Sequence, residues 1–377
     1  MCTCITFENG DFYFGRNLDL EYSFGEQIVV TPRNFHLQFR HAPDQAAHYA
    51  MIGMASSAGM TTAGKKSGGG TSPFPLYAEA VNEKGLCMAG LNFPGSACYR
   101  KPAEGGRNLA SFELIPWILG TCGTVREAQE QLRTLNITDD AFSADMPPAP
   151  LHWMLADREQ CLVLEQMEGG LKIYENPVGV LTNNPPFEYH STNLNNYLNL
   201  TSGPPVPRFA GGRDPETEME KKTLRLAPYS QGMGALGLPG DPSSASRFIR
   251  AAFLKWNSVC AQDEMSNVSQ FFHILDGVAM TRGSVYTEEG RCDITVYSCC
   301  VNVRTGVYYY RTYENSQINA VRLENAGTDG KKLIGYGLET EQNIKWQNES
   351  VEKEKCMEYN LNQTGPSGGN GRPKKET

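Results

Sequence analysis

MCTCITFENGDFYFGRNLD, residues 1–19, carries the reading of the fold and of the chemistry. Cys4, Ile5 and Phe7 run as a strand into Glu8-Asn9-Gly10-Asp11, and Asn-Gly is a strong hairpin signal. Phe12-Tyr13-Phe14 resumes as the second strand, which returns Arg16 and Asp19 toward the chain end. Cys2 stands directly behind Met1. Once Met1 is removed, Cys2 carries both a thiol and a free α-amine, whose reference pKa of about 7.7–8.0 lies near neutrality. The amine can take the proton of the thiol, so a single residue supplies nucleophile and base. Arg16 near the thiol favours the thiolate, and the Asp19 carboxylate can orient the ammonium.

Beyond the hairpin, short strands are read at about 86–92 and in HWMLAD, CLVLEQM, LKIYEN and VGVLTNN. Helical spacing runs through NLASFELIPWIL (108–119), with a kink expected at Pro116. TVREAQEQL opens on a capping box, Thr124 with Glu127. SSASRFIRAAFLKW begins with serine caps, SNVSQFFHILDGVAM gives a further helix, and Arg304-Thr305-Gly306 joins a late hairpin. Hairpins imply antiparallel sheets, and two pairs of helices would cover their outer faces. The expected fold is α+β, a four-layer α-β-β-α sandwich of stacked antiparallel sheets. A single domain is expected over 1–335, with an extended excursion at 201–235. Residues 336–377 read as a C-terminal extension, disordered from about 360, where apolar side chains almost vanish.

The net charge of −8 argues against a nucleic-acid partner and gives no attraction to an anionic membrane surface. No stretch is long and apolar enough for a spanning helix, and the N-terminus lacks a basic region followed by an apolar run. A cytoplasmic location is expected. The 11 cysteines are odd in number and lack repeated C-x2-C spacing, so neither a disulfide framework nor a metal site is expected, and no cofactor. GMTTAGKKS (59–67) approaches a phosphate loop, but Lys66 replaces the hydroxyl that would hold magnesium. GMGALG (232–237) follows no strand and reads as a turn. His152 and His190 sit beside aromatic residues and suggest no triad.

MCT, FGRNLDLEYSF, VTPRNF, NEKGLCMAGLNFPG, LHWMLAD, GVLTNNPPFEYH, GLPGDPSSASRFIRAAF, FFHILDGVAM and YYYRTYENSQINAV follow one another in an order and spacing that resembles the choloylglycine hydrolase family. This is the family of bile salt hydrolases and penicillin V acylases, within the N-terminal-nucleophile hydrolases, and the resemblance runs from Cys2 to about residue 325. It implies Cys2 as nucleophile with Arg16 and Asp19 around it. It implies an oxyanion hole built by Asn82 and Asn183, and Arg247 completing the polar cluster. Leu18, Ile137 and Phe142 occupy positions that look like the family's substrate-pocket lining. The penicillin acylases often carry tyrosine at the position given to Asn82, so the asparagine leans toward bile salts. The implied activity is hydrolysis of the amide of glycine- or taurine-conjugated bile salts through a Cys2 thioester. A penicillin V acylase or other N-acyl amine amidohydrolase, and a non-catalytic amphiphile binder, are the alternatives. The resemblance also implies a homotetramer. The Gly- and Lys-rich loop at 61–75 departs from the family pattern where a loop over the active site is expected.

Overall fold

The computed structural model describes residues 1–61, 73–206 and 226–346. Sixteen strands and six helices occur among the described residues. In chain order they are β1 (Cys2–Asn9), β2 (Asp11–Leu20), β3 (Glu26–Thr31), β4 (Met51–Ser56), α1 (Ala58–Thr61), β5 (Leu76–Asn82), β6 (Cys87–Asn92) and β7 (Arg107–Ala110). There follow α2 (Leu114–Thr121), α3 (Val125–Leu132), β8 (Leu135–Thr138), β9 (Leu151–Ala156), β10 (Cys161–Met167), β11 (Gly170–Glu175), β12 (Val180–Leu181) and α4 (Phe187–Asn193). The chain then forms α5 (Ser244–Trp256), α6 (Glu264–Asp276), β13 (Ile294–Asn302), β14 (Val307–Thr312), β15 (Asn319–Arg322) and β16 (Ile334–Gly337).

Two antiparallel sheets stack face to face. The smaller has the order β12-β1-β2-β13-β14-β15, the larger β11-β10-β9-β6-β5-β4-β3-β16. Helices α5 and α6 cover the smaller sheet, and α2 and α3 cover the outer face of the larger one. The layers are therefore α-β-β-α, as the hairpins and helix pairs of the sequence imply. Alternation decides which side chain enters which layer. On β6, Cys87, Ala89 and Leu91 point between the sheets, whereas Met88 joins the outer cluster beneath α2. The compact unit spans Met1–Glu341, because β16 pairs with β3 and carries the chain past residue 335.

Local signals mostly act as read. Gly10 takes a left-handed φ of 77° between β1 and β2. Thr124 caps α3 by accepting the Glu127 N–H at 3.2 Å, while Glu127 reaches back to Gly123 rather than to Thr124. Ser243 caps α5. The stretch 108–119 is a correction. Residues 107–110 form β7, which pairs in parallel with β8, and the helix begins only at Leu114. A parallel pair needs a crossover, and α2 and α3 supply it. Pro116 thus falls in the first turn of α2, where its missing N–H takes no bond from the helix. The 232–237 stretch is a short 3-10 turn opened by Gly232 at φ 81°, as its sequence suggests. Most of the 61–75 loop and of the 59–67 lookalike, the middle of the 201–235 excursion and the tail from 347 lie outside the described residues.

Candidate active site

Register places the residues around Cys2. On β2, Leu18 pairs with Cys2, Asn17 with Thr3 and Arg16 with Cys4. On its other side β2 pairs with β13, setting Arg16 opposite Cys299 and Leu18 opposite Tyr297. Gly15 permits this approach, since a Cβ there would stand 2.0 Å from the Cys299 carbonyl oxygen. The strand is regular from its first residue, so Cys2 and Cys4 share one face. That face looks between the sheets, and Arg16 lies on it. The opposite face looks toward the helices and carries Thr3, Asn17 and Asp19.

Between the sheets, Arg16 is 1 % exposed. Its Nη1 donates to the Gly90 carbonyl at 2.5 Å and to the Ala78 carbonyl at 3.3 Å, both on the larger sheet. Burial works against its charge, yet Cys2, Tyr297 and Glu79 nearby raise its pKa on balance. The guanidinium is a fixed cation on the side of the thiol.

On the helix face, Arg247 of α5 is fully buried. Its Nη1 donates to the Cys2 carbonyl and, at 2.6 Å, to Thr3 Oγ1; Nη2 donates to Asn183 Oδ1 at 2.7 Å. The Cys2 backbone N–H donates to the same Asn183 Oδ1 at 2.8 Å. Asn183 therefore ties Cys2 to Arg247 and fixes Cys2 by its backbone. Asp19 is fully buried; Oδ1 accepts from Thr295 at 2.6 Å, and Oδ2 has no partner among the described residues. Burial raises its pKa, opposed by Arg247 and the terminal ammonium. The Met1 ammonium donates to the Asp19 carbonyl at 2.5 Å and to Asp293 Oδ2 at 3.3 Å. Asp293 Oδ1 is also unpartnered among the described residues. Two unsatisfied carboxylate oxygens thus border the N-terminus, where a primary ammonium can be received.

Asn183 is itself clamped. Its N–H donates to Ser244 Oγ at 2.8 Å, and its carbonyl meets His190 Nε2 at 2.9 Å. His152 Nε2 meets the preceding Thr182 carbonyl at 3.0 Å. Both imidazoles are fully buried and stacked, His152 on Phe93 and His190 on Phe248. They hold backbone and form no triad with Cys2.

Asn82 does not join this cluster. Its Nδ2 donates to the Leu119 and Cys122 carbonyls, both at 2.8 Å, and its Oδ1 accepts the Lys84 and Leu86 N–H groups at 3.0 Å. All four of its hydrogen-bonding positions are filled by the turn after β5 and the end of α2. No donor is left for an oxyanion, so the role expected for Asn82 is corrected, and with it the bile-salt leaning drawn from that position. The asparagine that reaches the cluster is Asn92, at the end of β6. Its carbonyl accepts Asn183 Nδ2 at 2.8 Å, and its own amide has no hydrogen bond among the described residues. A polar residue closing the apolar run CMAGL before Phe93-Pro94 was the available signal.

Of the expected pocket residues, Leu18 faces Cys2 as its cross-strand partner. Ile137 and Phe142 pack instead in the outer cluster, apart from the one that holds Cys2 and Leu18. Phe142 meets Phe112 edge-on at 5.3 Å. Among the described residues no group of His, Cys, Asp and Glu could hold a metal ion.

Comparison with known proteins gives the family. The family model for linear amide C–N hydrolases of the choloylglycine hydrolase family matches residues 2–336. A bile salt hydrolase/transferase of Lactiplantibacillus plantarum is 47 % identical over 341 residues, covering 90 % of this chain and 98 % of that protein. One of Clostridium perfringens is 38 % identical over 341 residues, covering 89 % and 96 %. The crystal structure of the C2A mutant of a conjugated bile acid hydrolase from Clostridium perfringens superposes with a TM-score of 0.79 at 36 % identity, covering 92 % of this chain and 100 % of that one. A penicillin V acylase from Agrobacterium tumefaciens shares the fold, with a TM-score of 0.65 at 16 % identity, covering 91 % and 93 %.

Proposed function

Since this chain belongs to the choloylglycine hydrolase family of linear amide C–N hydrolases, we propose that it cleaves the amide of glycine- or taurine-conjugated bile salts through a Cys2 thioester. One observation carries the reading: Arg247 and Asn183 both bind the Cys2 backbone, while Arg16 lies on the face that the thiol shares. Met1 is removed first. The Cys2 nitrogen, held on Asn183 Oδ1, then becomes the α-ammonium, with Asp19 and Asp293 as the carboxylates beside the chain end and Arg16 on the face of the thiol.

The Cys2 thiolate attacks the amide carbonyl and forms the C–S bond. Negative charge gathers on the carbonyl oxygen, where the remaining N–H of Asn183 and the amide of Asn92 supply donors. A preorganised donor of this kind contributes roughly 2.7–4 kcal/mol in another hydrolase. The C–N bond breaks as the ammonium protonates the leaving glycine or taurine. Water, deprotonated by the α-amine, then attacks the thioester and releases the bile acid. An amine in place of water would return an amide instead, in keeping with the transferase activity in the names of two relatives.

The steroid is received beside Leu18, the cross-strand partner of Cys2; Ile137 and Phe142, packed in the outer cluster, take no part there. We further read the enzyme as a cytoplasmic homotetramer. Ten free cysteines among the described residues support a reducing compartment. Tyr229 on the excursion and Leu198 and Leu236 at its two ends, each more than 70 % exposed, support an assembly face there.

The test is incubation of purified protein with glycocholate, taurocholate and penicillin V, measuring released amine or acid, with mass spectrometry of the N-terminus. Release from the bile salts by protein that begins at Cys2 is expected. Full activity with Met1 retained would overturn the mechanism, and release from penicillin V alone would overturn the substrate.

A further inference from the structure

One buried carboxylate beside the nucleophile has no part in the steps above. Glu79 extends from β5 into the space between the sheets and is 1 % exposed. Its Oε2 accepts the Tyr297 hydroxyl at 2.7 Å; its Oε1 accepts the Tyr308 hydroxyl at 2.6 Å and the Cys299 thiol at 3.5 Å. Arg16 Nη1 stands 3.6 Å from Oε2. Donors from β2, β13 and β14 on one sheet thus converge on a single carboxylate from the other. Burial pushes the Glu79 carboxyl up, and Arg16 and the three donors oppose it. A buried guanidinium without such a partner would remain an uncompensated charge. Arg16 is also aimed from this side: Cys4, its cross-strand partner, shares the face of Cys2, and Leu18, two residues on, pairs with Cys2.

We propose that Glu79 is a positioning residue for the Cys2 chemistry: its carboxylate holds Arg16 between the sheets and offsets part of the positive charge that Arg16 presents to the thiol. An arginine alone would make a stable thiolate, and nucleophilicity falls as a thiol becomes more acidic. The Glu79 carboxylate tempers the positive field that Arg16 sets on the face of Cys2.

The other ionisable groups are distributed by element. Toward Arg16 and the thiol lie Cys4 of β1, Glu79 of β5, Cys87 of β6, Cys161 of β10, Tyr297 and Cys299 of β13 and Tyr308 of β14. On the opposite face are Asp19, Asp293 and Arg247. Only Glu79 among them forms an ion pair with Arg16 among the described residues.

The proposal rests on Cys2 being the nucleophile. Its test is alkylation of Cys2 by iodoacetamide across pH, read by peptide mass spectrometry on the processed protein. This needs no bile salt, so a wrong substrate assignment would show separately in turnover. In Glu79→Gln, the midpoint of alkylation is expected at least about one pH unit lower. The plateau rate above it is expected roughly threefold lower, so that the variant and wild-type curves cross. The acid limb of kcat/KM should move the same way, and Glu79→Asp should restore both. A folded Glu79→Gln with unmoved midpoint and plateau would overturn the proposal, as would a shift to higher pH. Should Glu79→Gln fail to fold, Tyr308→Phe decides. Loss of one donor brings Glu79 closer to neutral, so a smaller downward shift supports the proposal and an unmoved profile overturns it.

Discussion

The two faces of β1 receive the same terminal residue by different means. The inner face is governed by charge: a guanidinium between two sheets, anchored on the carbonyls of Ala78 and Gly90 and paired with a carboxylate. The helix face is governed by hydrogen bonds to backbone, with Arg247 and Asn183 gripping the Cys2 carbonyl and N–H. The thiol lies on the first face, and the Cys2 backbone is held from the second. Alternation along the strand thus sends the Cys2 side chain toward the charged layer and those of Thr3, Asn17 and Asp19 toward the helices.

The sharpest break is Cys2→Ala. It removes the thiol but leaves every backbone contact to Asn183 and Arg247, so turnover should vanish while the melting temperature stays close to wild type. Next comes a contrast between two asparagines. Asn183→Ala takes away the tie between Cys2 and Arg247 and should lower kcat by about 10²–10³-fold. Asn82→Ala should leave kcat/KM within a few-fold, yet cost on the order of 1–3 kcal/mol in denaturant unfolding, because it strips partners from the end of α2. Reversal of that pair would restore Asn82 to the site.

The smallest effect on the chemistry of the site lies away from both faces. Glu113, at the start of α2, is buried and pushed up to about 7, mainly by desolvation, while the Arg40 and Ala110 N–H groups oppose the rise. A raised carboxyl pKa means that the folded protein holds the proton longer than the unfolded chain. Its contribution is therefore complete below about pH 4.5 and is lost as pH rises toward 7, by about 3 kcal/mol in all. Glu113→Gln should flatten that slope in chemical unfolding and leave the alkylation midpoint of Cys2 in place.

Much of this was legible before any coordinates. The Asn9-Gly10 hairpin, the serine cap of α5 and the spacing of short apolar runs describe local physics, and local physics is written in adjacent residues. The parallel pair β7–β8 was not, because apolar periodicity over 108–119 fits a strand followed by a helix as well as one longer helix. The site divided in the same way. Cys2, Arg16 and Asp19 lie on one hairpin and could be brought together by register alone. Asn82 was misplaced because a buried asparagine that caps a turn and one that faces a nucleophile look alike in sequence, and Asn92 was passed over for the same reason.

By itself the sequence determined the layers, the hairpin that returns Arg16 toward Cys2, and the cysteine at position 2. These depend on turns, caps and alternation, whose range is a few residues. Only the tertiary structure decided which face each charge occupies, which asparagine is free to donate, and that Glu79 from the other sheet closes on Arg16. Those depend on how two sheets meet, and the contacts between them join residues more than sixty positions apart.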